Sequence, residues 1–280
     1  MIIVCRKEGL MSNRLFHFSH LISFAIENNE MIWYPYIEEF TPLFVNIRPE
    51  ILKQKKILIH SGFFYEFILK IISWILRRIS NSKIMYSCDD SNEFDLSRIA
   101  KSNSNRLLFL SGWMLRDYES LKRNRALVRE LFAFGDDITS DCDKKLFLPK
   151  ENNSIVVGVH IRRGDYQYFK DGKYFYEVEV YKAAIAQLKA LLSSELRSIS
   201  FMVCTNDPEI IKSKILNDPR VFLSNGSQIS DLCMLSKCDY IIGPPSTYSA
   251  WASFYGSVPL AHIQEKDQTI TMFDFKVIEG

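Results

Sequence analysis

Ser154-Ile155-Val156-Val157-Gly158-Val159-His160-Ile161-Arg162-Arg163-Gly164-Asp165-Tyr166 decides how this chain is organised. Ser154 to Ile161 is a short apolar run that predicts a buried strand, and two arginines, a glycine and a carboxylate follow at its carboxyl end. Beyond it, apolar runs and helical patterns alternate. Helices are predicted over 181–192, 208–216, 230–236 and 246–255, the second opened by Pro208, and strands over 199–205, 221–223, 240–243 and 258–262. Such alternation implies an α/β fold with a mostly parallel sheet wound by right-handed crossovers. Ligands of such sheets sit beyond the carboxyl ends of the strands, so those ends are where chemistry is expected.

The amino-terminal half is less regular. Met1 to Cys5 predicts a strand, and apolar residues at 15, 16, 18, 21, 22, 25 and 26 predict a helix from Ser12. Residues 31–60 suggest short strands and loops broken by Pro35, Pro42 and Pro49; 83–105 is polar and loop-rich, 107–110 a strand, and 117–134 a helix. Residues 135–153 are polar enough for a linker, which divides the chain into domains 1–150 and 151–280.

Thirty-five Lys and Arg against 33 Asp and Glu give a net charge of +2, which supplies no broad basic field and argues against a nucleic-acid partner. Any anionic ligand must then be met by local basic groups. Six cysteines at 5, 88, 142, 204, 233 and 238 fit no zinc-ligand spacing, so they are expected as reduced, buried small hydrophobes and no metal site is predicted. With no charged start, apolar middle and small-residue cleavage site preceding them, a cytoplasmic location is expected. The longest apolar stretch, Phe63 to Ile79, is interrupted by Glu66 and Lys70 and closed by Arg77-Arg78, too broken for a membrane span. Its Phe64, Phe67, Ile68, Ile71, Ile72, Ile75 and Ile79 recur at helical spacing, as in a core helix or one that lies on a membrane surface.

Paired guanidiniums suit a diphosphate, because each planar fork grips oxygens in pairs and keeps its charge at neutral pH. One of Arg162 and Arg163 can face a ligand while the other packs on Asp165 or on backbone; a surface loop with an Arg-Asp pair is the alternative. After the strand at 240–243, Ser246 and Thr247 stand where a helix starts, either as an ordinary cap or as part of an anion site. Asp231, opening the preceding helix, is a capping carboxylate or an acceptor for the paired N–H donors of guanine. Asp165, Glu177 and Glu179 are the candidates for a general base. Asp141-Cys142-Asp143 has the DxD pattern of a metal site but lies in the polar linker, so a solvated loop is expected there.

Four segments carry a resemblance to one family. The run from Gly158 to Tyr166 looks like the HxRRxDY motif of the α-1,2-fucosyltransferase family, itself in a superfamily with α-1,6- and protein O-fucosyltransferases. Ser230 to Asp239 is similar to the family's DL-x-LMS-x-CD helix, Ile241 to Ala252 resembles IIANSTFSWWAA, and Gly9 to Phe18 resembles GLGNQLFQYA. The chain departs from these patterns at Met11-Ser12, at Arg14, where the family has glutamine, and at Pro244-Pro245, where it has Ala-Asn.

The resemblance implies a GT-B architecture, two Rossmann-like domains facing across a cleft, with residues 1–150 on the acceptor side and 151–280 binding GDP-fucose. By position, Arg162 would hold the β-phosphate and stabilise departing GDP, and His160 and Asp231 would contact guanosine. Ser246 and Thr247 would bind phosphate or fucose, Arg163 and Asp165 complete the donor motif, and Asn13 would approach from the other domain. No cofactor or metal is implied. The expected activity is inverting transfer of L-fucose from GDP-fucose to a glycan hydroxyl, in α-1,2 linkage. The acceptor would be an oligosaccharide or lipid-linked glycan of surface-polysaccharide synthesis, met by a cytoplasmic enzyme, free or peripheral to the inner face of the membrane. A transferase using another nucleotide sugar, or a non-catalytic glycan- or nucleotide-binding relative, is the rival reading.

Overall fold

A computed structural model describes residues 1–60, 62–78, 85–87, 93–100, 107–151, 154–193, 197–209, 218–224 and 226–280. The chain forms two compact units, Met1–Gly135 with Glu279–Gly280, and Asp136–Ile278.

In the first unit, β1 (Ile2–Val4) leads into α1 (Met11–Asn28), then β2 (Ile32–Trp33), α2 (Pro49–Gln54), β3 (Ile57–Leu58) and α3 (Phe63–Arg78). β4 (Met85–Ser87), β5 (Phe94–Asp95), α4 (Ser97–Ala100), β6 (Leu108–Ser111), β7 (Leu115–Arg116), α5 (Tyr118–Arg123) and α6 (Arg125–Leu131) follow. Among the described residues the main sheet runs β3-β2-β1-β6-β4, with every pairing parallel. Two of the three prolines expected to break 31–60 start elements instead: Pro35 opens a 3-10 helix (Pro35–Leu43) and Pro49 opens α2, where a missing N–H costs nothing, while Pro42 lies inside the 3-10 helix. The helix expected over 117–134 is two, α5 capped by Asp117, whose carboxylate accepts the Ser120 N–H at 2.9 Å, and α6 after Asn124. Buried His17 and His20 on α1 are neutral. His17 Nδ1 lies 3.2 Å from the Tyr34 hydroxyl and His20 Nδ1 accepts the Asp117 N–H at 3.1 Å, and burial pushes His20 down to about 3.

α3 packs through Leu69 onto Ile3, Cys5 and Phe109, with Ile72 beside them. Phe67, Ile71 and Ile75, which the spacing placed on the apolar face, are exposed. Among the described residues no helix is long and apolar enough to cross a membrane.

The second unit begins with α7 (Asp136–Glu151), in the stretch expected to be a linker. This helix packs on α9 (Gln228–Leu235) by burying Cys142 and Leu146, one turn apart, so the boundary between units falls at 135/136 rather than 150/151. The DxD triplet is therefore helical, not a loop: Asp141 pairs with Lys145 at 2.9 Å, Asp143 with Lys237 at 2.5 Å, and Cys142 faces inward. β8 (Ile155–Ile161), α8 (Val178–Leu192), β9 (Ile199–Thr205), β10 (Val221–Leu223), α9, β11 (Tyr240–Gly243), α10 (Thr247–Gly256) and β12 (Leu260–His262) complete the unit. The helix expected over 208–216 lies almost wholly outside the described residues.

Sheet order is β10-β9-β8-β11-β12, all parallel. Numbered along the chain this is 3-2-1-4-5, so the winding direction reverses between β8 and β11. In a doubly wound sheet that reversal opens a crevice at the carboxyl ends of the two strands, which places the ligand site after Ile161 and after Gly243. The core lies chiefly between β8, β9 and α8, where Val157, Val159, Ile161, Tyr181, Leu188 and Phe201 are fully buried. Burial of all seven β8 residues explains why its sequence is a continuous apolar run rather than an alternating one.

Candidate functional site

Side chains alternate along β8, and the alternation sorts the motif. Ile155, Val157, Val159 and Ile161 enter the α8 core. His160 and Arg162 lie on the opposite face, toward α10: the His160 ring sits 5.0 Å from Tyr248, and Arg162 Nη1 donates to Ser246 Oγ at 3.3 Å. Arg163 falls back on the α8 face and is buried. Its Nη1 donates to the Tyr176 carbonyl at 2.7 Å, it pairs with Glu177 at 3.2 Å and Asp207 at 3.4 Å, and Phe175 covers its guanidinium at 4.6 Å.

Asp165 therefore serves Arg162, not Arg163. Arg162 Nε donates to Asp165 Oδ1 at 3.0 Å and Nη2 to Oδ2 at 2.5 Å, a two-pronged pair that holds the Asp165 carboxyl below its usual range. The Tyr166 ring lies under the guanidinium at 4.6 Å, and its hydroxyl donates to the Pro245 carbonyl at 2.5 Å, tying the turn after β8 to the turn after β11. Of the five guanidinium N–H groups of Arg162, Asp165 takes two and Ser246 one; two stay available to a ligand.

Ser246 caps α10, its Oγ accepting the Tyr248 N–H at 3.2 Å, and Thr247 is the first residue of the helix. Backbone N–H groups at the start of α10 thus stand beside Arg162, the arrangement that favours an anion. Glu177 precedes α8 and is held by Arg163, while Glu179 lies in the first turn of that helix.

A second cluster adjoins the first. Asp231 is buried in the first turn of α9, which Ser227 caps, and burial raises its carboxyl above the usual range. Asp231 Oδ1 and His160 Nδ1 are buried atoms without a hydrogen-bond partner. Such atoms are costly unless a ligand or water meets them, which makes both candidate contacts for a polar ligand. Burial moves His160 down to about 3, so its ring is neutral. Tyr248 bridges the cluster: its ring touches His160, the Asp231 charge acts on it, and its hydroxyl donates to the Gln228 carbonyl at 2.6 Å.

In the first unit, Asn13 lies in the first turn of α1 beside Gly9, whose φ of +66° makes the turn that glycine permits. Arg14 donates to the Tyr36 carbonyl at 3.1 Å and pairs with Glu39, which also binds Lys7 at 2.7 Å. The structure thus joins His160, Arg162, Asp165, Ser246 and Thr247 at the β8/β11 crevice, with Asp231 reached through Tyr248. It sends Arg163 into the core. Tyr166 and Tyr248 were not singled out from sequence; an aromatic beside each arginine or helix-start motif was the signal available. Among the described residues no three His, Cys, Asp or Glu side chains are grouped as metal ligands.

The sequence profile of the family described as Glycosyl transferase family 11 matches residues 5–272. No curated protein matches the chain by sequence. The fucosyltransferase NodZ from Bradyrhizobium is similar in structure, with a TM-score of 0.58 at 17% identity over 93% of this chain and 94% of that one. A variant of Arabidopsis thaliana FUT1 in complex with GDP has a TM-score of 0.62 at 10% identity, over 98% of this chain and 72% of that one. NodZ alpha-1,6-fucosyltransferase soaked with GDP-fucose gives 0.57 at 16% identity, over 93% and 94%. These likenesses give the fold, which is GT-B.

Proposed function

Because the chain belongs to glycosyl transferase family 11 and is thereby a glycosyltransferase, we propose that it transfers L-fucose from GDP-fucose to a glycan hydroxyl with inversion. The observation that carries this reading is Arg162, fixed by Asp165, Tyr166 and Ser246 at the β8/β11 crevice with two N–H groups unspent. GDP-fucose and GDP in the similar NodZ and FUT1 structures support a GDP-linked donor.

In the proposed reaction the acceptor oxygen attacks C1 of fucose, the bond from C1 to the β-phosphate oxygen breaks, and GDP departs with the electron pair. The acceptor proton is released. Negative charge grows on the diphosphate, and donors already aimed there stabilise the transition state more than the ground state. Arg162 supplies such donors, with Ser246 and Thr247 beside it at the positive end of α10, so the reaction is assigned no metal. Asp231 accepts the guanine N–H pair and His160 meets the guanosine from the adjoining cluster. Arg163 acts by holding the turn, and Asp165 by orienting Arg162 rather than as a base. Asn13 is assigned a donor contact on the resemblance of Gly9 to Phe18 to the family motif.

The linkage proposed is α-1,2, on the motif from His160 to Tyr166, and the acceptor an oligosaccharide or lipid-linked glycan of surface-polysaccharide synthesis on the cytoplasmic side. The test is nucleotide release from a panel of nucleotide sugars, GDP-fucose among them, with oligosaccharide acceptors, and the linkage of the product read by NMR. Release of another nucleotide from its sugar, but not of GDP, would overturn the donor assignment; absence of release with every donor would overturn catalysis.

A further inference from the structure

α3 presents an apolar stripe to solvent that its packing does not use. Phe67 is 56% exposed, Ile71 42%, Trp74 55% and Ile75 44%, opposite the Leu69 and Ser73 face that is buried. Positions 67, 71, 74 and 78 follow helical spacing, so the stripe is continuous along the helix and Arg78 closes it. The Arg78 guanidinium lies 3.7 Å over the Trp74 ring, and exposed Lys70 borders the same face. A large exposed apolar patch on a chain is a mark of an interaction surface.

Charge selects the occupant. Among the described side chains of α3, Lys70 and Arg78 are basic and exposed, and Glu66 is the single acid. Two copies meeting through this face would bring like charge onto like charge. An anionic lipid surface satisfies both features: Trp74 and Phe67 suit the boundary between headgroups and chains, and the basic groups meet the headgroups. From Phe67 to Arg78 the helix runs about 16 Å, enough to lie in the interface and not to cross it.

We propose that the outward face of α3, from Phe67 to Arg78, docks the protein on an anionic lipid bilayer. This docking is independent of the donor assignment, although a lipid-linked acceptor would benefit from it.

Vesicle co-sedimentation of the full chain without substrate tests it, with equal parts phosphatidylcholine and phosphatidylglycerol against phosphatidylcholine alone. Binding is expected to the mixed vesicles, to weaken in high salt, and to fall about tenfold or more in Ile71→Glu/Trp74→Glu. Lys70→Glu/Arg78→Glu, which keeps the stripe, is expected to lose the preference for the anionic vesicles, and it preserves the test if the first variant fails to fold. No binding to either vesicle would overturn the proposal. So would wild-type binding by folded variants, or a solution dimer that Ile71→Glu/Trp74→Glu dissociates. GDP release from GDP-fucose on a soluble acceptor is measured in parallel, and its failure bears on the donor reading alone.

Discussion

Replacing Arg162 by alanine tests the proposed chemistry where the structure is most explicit. The side chain contributes two unspent N–H groups to the crevice, beside the first turn of α10. Removal of one preorganised transition-state donor costs about 3 kcal/mol, roughly a hundredfold in turnover, and a donor that also carries charge costs at least that. The same change removes the pair with Asp165, but that carboxylate is 54% exposed and the pair is worth under about 1 kcal/mol to folding. A loss of that size lowers the thermal midpoint by only about 2–4 °C in a chain of this length, so loss of activity and loss of fold separate cleanly. The assay is initial-rate GDP release at saturating donor and acceptor, with a melting curve on the same sample. Arg162→Lys keeps charge but not the fork and is expected to recover only part of the rate. Retention of more than about a third of the wild-type rate in Arg162→Ala would refute the role assigned to this residue.

Asp231 gives a pH signature. Burial raises its carboxyl, so the folded protein takes up this proton before the unfolded chain does. Between the ordinary carboxylate value and the raised one, ligand-free stability from this group therefore increases as pH falls, and Asp231→Asn is expected to flatten that part of the melting-point curve. GDP affinity should decline over the same interval in the wild type, because the acceptor carboxylate is being lost; calorimetric titration with GDP would detect it, and an unchanged affinity would remove Asp231 from the guanine site. At Gly256 a methyl group would overlap the Ser236 carbonyl backbone, so Gly256→Ala must push α10 from α9. It is expected to cost about 1–3 kcal/mol in denaturant unfolding. Activity in excess EDTA should match the untreated rate; loss that Mn²⁺ restores would show a metal where none is assigned.

From β8 onward the second unit is legible because each of its strands is a compact apolar run and its helices α8 to α10 carry buried apolar residues at helical spacing. Ile199–Thr205, Val221–Leu223 and Tyr240–Gly243 coincide with the expected spans to the residue. The first unit hid its sheet in strands of two residues, Ile32–Trp33 and Ile57–Leu58, too short for any alternation to show. α7 was missed for a related reason. Only Cys142 and Leu146 among its described side chains are buried, and two apolar contacts in 16 residues leave a composition that resembles a linker. On α3 the helical spacing left a core helix and a surface helix both open, because spacing shows an apolar face but not what that face meets.

Sequence could place two arginines at a strand end but could not divide their work, and the division follows from the period of a strand. His160 and Arg162 lie two residues apart and share the face toward α10; Ile161 and Arg163 share the face toward α8. The α8 face already holds the core, so the arginine that falls there is enclosed by Tyr176, Glu177, Asp207 and Phe175. The α10 face ends at the crevice, so the arginine that falls there keeps donors in reserve. A shift of register by one residue in β8 would exchange the two faces and carry Val157, Val159 and Ile161 out of the core with them. The hydrophobic pattern of the strand thus fixes which guanidinium keeps donors at the crevice, so the packed core and the proposed anion site depend on the same register.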